Sequence, residues 1–62
     1  MLPTTLQPET TYLYTGIDEI KVIYKGQTTK GNYSFVAAEG QYKGVKRSLT
    51  EASVCNLIQH LS

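Results

Sequence analysis

Ser48-Leu49-Thr50-Glu51-Ala52-Ser53-Val54-Cys55-Asn56-Leu57-Ile58-Gln59-His60-Leu61-Ser62 closes the chain, and the reading of this stretch decides the fold. Ser48 followed three residues later by Glu51 has the spacing of a capping box. The serine oxygen can accept from the Glu51 backbone N–H while the glutamate reaches back to the Ser48 N–H. Beyond that start, Val54, Leu57, Ile58 and Leu61 recur at helical spacing and make one apolar stripe about 100° wide. Ala52, Ser53, Asn56, Gln59 and His60 fall on the other side, with Cys55 at the edge of the stripe. The pattern predicts a helix of about 9 to 14 residues, too short to hold alone in water. The rest of the chain must therefore supply a surface that buries the stripe.

That surface reads as a small sheet. Thr11–Thr15 alternates Tyr12 and Tyr14 against Leu13 and is rich in β-formers. A turn follows over Gly16-Ile17-Asp18-Glu19. Ile20–Lys25 is the clearest strand: Ile20, Val22 and Tyr24 share one face, and Lys21, Ile23 and Lys25 share the other. The lysine-bearing face should meet solvent, which leaves Ile23 stranded on it as a hint of a second contact surface. Gly26–Gly31 is a polar loop between strands. It lacks the Gly-Lys-Ser/Thr ending and the following helix that a phosphate loop requires. Asn32–Ala38 is a third strand, and Gln41–Arg47 a fourth, with a bulge expected at Gly44. The order β-β-β-β-α with short links predicts an α+β fold, a small antiparallel sheet of 3–4 strands packed on one C-terminal helix. Residues 1–10, with Pro3 and Pro8, read as an extended or disordered N-terminal arm, and residues 11–62 as a single small domain.

Composition narrows the chemistry. A 62-residue chain buries only about 60% of the surface its unfolded form exposes, so it commonly needs an added prop. One cysteine excludes an internal disulfide. One cysteine, one histidine and scattered acids do not make the four converging ligands of a structural zinc site. Self-association is the prop that remains, and a homodimer or higher oligomer is expected. Neither a secretory signal nor an apolar run of about 20 residues is visible, so no membrane span and a reducing, cytoplasmic setting are expected.

No catalytic constellation emerges. Cys55 and His60 would stand about 140° apart on a helix, too far round for a Cys–His pair. Cys55 reads as a small packed hydrophobe and His60 as a cation near a helix C-terminus. Asp18-Glu19 reads as a solvated turn. The chain is expected to be no enzyme and to need no cofactor or metal.

Charge is the remaining signal. Net charge is only +1, yet all six bases lie between positions 20 and 47 with one acid, Glu39, a local balance of +5. Tyr24, Tyr33, Tyr42 and Phe35 are interleaved with them. Two functions follow. One is a protein-interaction or regulatory module that docks through its sheet face or edge and self-associates, with Lys21, Ile23, Lys25, Lys43, Lys46 and Arg47 as candidate partner-binding residues. The alternative is a nucleic-acid-binding sheet in which these cations hold phosphates while bases stack on Tyr24, Tyr33 and Tyr42. A pI of 7.9 falls below the value above about 9 usual for nucleic-acid domains, which favours docking to protein.

Overall fold

The computed structural model describes residues 2–16 and 19–61. Ile17 and Asp18, the middle of the expected turn, lie outside the described residues, as do Met1 and Ser62. After a 3-10 turn at Pro3–Thr5 come β1 (Thr11–Thr15), β2 (Glu19–Gln27), β3 (Tyr33–Ala37), β4 (Lys46–Leu49), α1 (Glu51–Leu57) and β5 (Ile58–His60). Among the described residues the five strands form one sheet in the order β4-β3-β2-β1-β5, every neighbouring pair antiparallel. The α+β class holds, with five strands where the sequence predicts three or four.

The fifth strand is the largest departure, and it comes out of the predicted helix. α1 stops at Leu57: the Ile58 N–H still donates to the Val54 carbonyl, but Ile58 itself is extended (φ −101°, ψ 131°). Ile58, Gln59 and His60 then pair with Tyr14, Leu13 and Tyr12 of β1. Two satisfied needs explain the early stop. The free edge of β1 requires partners for its backbone groups. The Leu57 carbonyl, which no further helical turn caps, accepts from Thr15 Oγ1 at 2.9 Å. Val54 and Ile58, four apart, both reach zero exposure, so the two central members of the stripe are buried in either conformation. Leu61 is not, at 44% exposed. Cys55 is exposed rather than packed, and His60 lies on a strand rather than at a helix end.

The cap also moves. Ser48 belongs to β4, and the N-cap is Thr50, whose hydroxyl accepts from the Ser53 N–H at 3.3 Å. The fourth strand starts later than Gln41 because residues 40–45 are spent on turns. Lys43 N–H donates to the Gly40 carbonyl and Val45 N–H to the Tyr42 carbonyl, with φ +79° at Gly40 and +88° at Gly44.

Gly44 is nevertheless the bulge its position suggests. Its N–H donates to the Ala37 carbonyl at 2.9 Å while Ala37 N–H donates to the Val45 carbonyl, so two residues oppose one. The same pattern recurs at the start of the sheet. Glu9 N–H donates to the Tyr24 carbonyl, Tyr24 N–H to the Thr10 carbonyl, and Glu9 carries φ +63°. Residues 2–10 lie against the sheet through this bulge, through buried Pro3, and through Leu6 beside the core. Gln7 N–H also donates to the Tyr12 hydroxyl.

The core is one cluster of Tyr12, Val22, Tyr24, Phe35, Val54 and Ile58. It lies on the face that carries Ile20, Val22 and Tyr24, as the alternation of β2 predicts.

Two tests follow. Thr50→Ala should cost about 1 kcal/mol by urea unfolding, whereas Ser48→Ala should stay within about 0.5 kcal/mol. The reverse order would restore Ser48 as the cap. Gly44→Ala should cost about 1–2 kcal/mol because φ there is left-handed. Glu9→Gly relieves the same strain and loses only an exposed ion pair, so stability should hold or rise by up to about 1 kcal/mol. Equal losses from both changes would contradict the paired-bulge geometry.

Candidate docking surface

Strand register decides which candidate residues meet. On the face away from the core, Ile23 stands opposite Thr11 on β1 and opposite Val36 on β3, and Val36 stands opposite Lys46 on β4. One row across four strands therefore reads Thr11, Ile23, Val36, Lys46. The adjacent row reads Gln59, Leu13, Lys21. Directly opposed side chains stand about 4.5–5.5 Å apart at Cβ, and diagonal ones about 7–8 Å, so Ile23, Val36 and Leu13 form one aliphatic group. All three are half-buried, while Lys21 and Lys46 beside them are exposed.

The other candidates are dispersed. Lys25 occupies an irregularity in β2, where the register with β3 shifts between Tyr24 and Gly26. Its Nζ bonds both Glu9 carboxylate oxygens, at 3.0 and 3.3 Å, so its charge is engaged locally. Lys43 and Tyr42 lie in the turns before β4. Arg47 is on the core-side face of β4, opposite Phe35, with its guanidinium carbon 5.7 Å from the centre of the Tyr42 ring. It borders a shallow apolar crevice together with Tyr14, Ile20, Ala37 and Leu49.

The rings do not join the lysines. Tyr24 is 6% exposed, its ring centre 5.2 Å from that of Phe35 and 6.3 Å from that of Tyr33. Tyr24 and Tyr33 thus point into the core side, whereas Lys21 and Lys46 leave from the opposite face. Tyr42, at 47% exposed, is the one candidate ring open to solvent, and Arg47 already covers it.

Sequence reasoning passed over Leu13 as a surface residue. Its alternation with Tyr12 and Tyr14 carries the signal, once the tyrosines are known to take the core side. The paired carboxylate of Glu9 had no sequence signal, because it depends on the left-handed bulge.

Reactive groups stay apart. His60 faces Tyr12, ring centres 6.1 Å apart, and no group of three or more His, Cys, Asp or Glu able to hold a metal occurs among the described residues. No helix among them is long and apolar enough to cross a membrane. Set against known protein families, curated proteins and solved structures, the chain matches none.

Burial raises the pKa of the Tyr24 phenol above its ordinary value, with neighbouring Tyr33 and Tyr12 adding to the rise. An acid whose pKa is raised on folding favours the fold while protonated. That contribution is present below the unfolded pKa of about 10 and is lost as pH climbs through the folded value. Urea midpoints measured at pH 8 and above pH 10 should fall more steeply in the wild type than in Tyr24→Phe. Parallel curves would show that the phenol is open to water.

Proposed function

We propose that this chain is a small non-catalytic docking module that associates with a second copy of itself through the outer face of its sheet. The observation that carries this reading is the register-matched group of Leu13, Ile23 and Val36 on the face away from α1. Burying aliphatic area yields about 25 cal/mol per Å², and a chain of this size has little core of its own to draw on. The face also suits an isologous pairing, in which one patch meets itself about a two-fold axis. It carries both signs at its rim, Glu19 toward one end of β2 and Lys46 on β4, so opposite charges can meet across the axis. A single cysteine with no disulfide fits a reducing compartment such as the cytoplasm.

The nucleic-acid reading has less support. It needs exposed rings among the cations, and two of its three tyrosines are on the core side of the sheet.

Light scattering after gel filtration tests the proposal. The wild type should elute with the mass of two chains, and Ile23→Asp with the mass of one and an unchanged circular-dichroism spectrum. A wild type that remains a single chain at high concentration contradicts it. So does an Ile23→Asp protein that unfolds, since Ile23 would then belong to the core.

A further inference from the structure

We infer that the open edge of β4 accepts an extended acidic segment of another protein as a sixth strand of the sheet. This goes beyond the self-association proposed above and uses the backbone edge of β4, which meets the rim of that face at Lys46. β4 ends the sheet and pairs only with β3; the opposite edge is β5, three residues long, which pairs only with β1.

Three hydrogen bonds fix which backbone groups the edge presents. Ala38 N–H donates to the Lys21 carbonyl, toward β2, while Ala37 bonds toward β4 through Gly44 and Val45. Bonding direction alternates along an antiparallel strand. Phe35 and Tyr33 therefore bond toward β4, at Arg47 and Leu49, which they oppose in register. The N–H and C=O groups of Lys46 and Ser48 are left pointing away from the sheet. They stand about 7 Å apart, the repeat at which an added strand forms its bonds.

The side chains at this edge state what the added strand should carry. Lys43, Lys46 and Arg47 lie within five positions with no acid among them. A second copy of β4 would bring the same cations to this edge, and the added positive charge disfavours self-pairing here. An acidic strand meets the opposite situation. Lys46 serves its outer face, while Arg47 and Leu49, on the core-side face of β4, stand beside its inner face. The fitting segment alternates acidic and aliphatic residues.

Ser48→Pro isolates the backbone contribution. Its N–H makes no bond within the sheet, so proline there removes a donor from the edge and keeps the ladder. The probe is a short blocked peptide alternating valine and glutamate, added to isotope-labelled protein and followed by NMR. The largest amide shifts should fall at Lys46 and Ser48, and Ser48→Pro should weaken binding about tenfold without changing the fold or the oligomer mass. Lys46→Glu should switch preference to a valine–lysine peptide. Failure of the valine–glutamate peptide to bind overturns the inference, as does binding undiminished in Ser48→Pro. Displacement of the peptide by a single-stranded oligothymidylate at low salt would assign the cations to nucleic acid instead. A protein that stays a single chain yet binds the peptide would end the self-association reading and leave this one standing.

Discussion

The structure depends on one pair of side chains, Val54 and Ile58, which leave the end of α1 and lose all contact with solvent against Tyr12, Val22, Tyr24 and Phe35. Full burial of an aliphatic side chain contributes about 1.5–3 kcal/mol, a large share of what a domain of this size retains. The pair also carries topology. Val54 is the last buried residue of the helix, and Ile58 is the first of β5. Burying both draws the chain from the β4 edge across to β1, at the opposite side of the sheet. One apolar contact thus closes the core and sets the strand order.

The crossing makes β4 and β5 the two edges of the sheet and leaves β1 inside it. At β1, the backbone groups are taken by Ile58–His60, and Thr15 completes the cover by bonding the Leu57 carbonyl. At β4, nothing among the described strands does so. That edge is instead short, entered through the Gly44 bulge, and charged at Lys46 and Arg47. These are the means by which natural sheets discourage indiscriminate pairing. They also select: a strand of like charge is repelled and one of opposite charge is drawn in. The charged β4 edge and the aliphatic outer face are the features that carry the proposed contacts.

How much of this could be read from residue order varies along the chain. The core face of β2 was legible, because Ile20, Val22 and Tyr24 alternate with Lys21, Ile23 and Lys25. Its end was not: Gly26 and Gln27, read as loop, still pair with β3 beyond the irregularity at Lys25. The bulge at Gly44 was legible because Gly44 sits between Tyr42 and Val45, which have opposite parity. The C-terminal strand was not. Val54 and Ile58 satisfy a helical period, and Ile58 with His60 satisfies a strand period equally well. The choice rests with the bare edge of β1, a tertiary need that no local pattern encodes. Ser48 and Thr50 were similarly ambiguous, since both are good N-caps, and only the length of β4 separates them. For the site, residue type identified the cations and rings, but whether they share a face followed from register. Register placed Tyr24 and Tyr33 with the core and Lys21 and Lys46 outside it.

The central claim is that the chain leaves the helix at Ile58 to become a strand beside β1. Proton NMR distances test it most directly. The account predicts close cross-strand contacts between Tyr14 and Ile58 and between Tyr12 and His60, with extended couplings from Ile58 to His60. Helical contacts running from Leu57 through Leu61, with none to β1, would contradict it and make β1, not β5, the edge of the sheet.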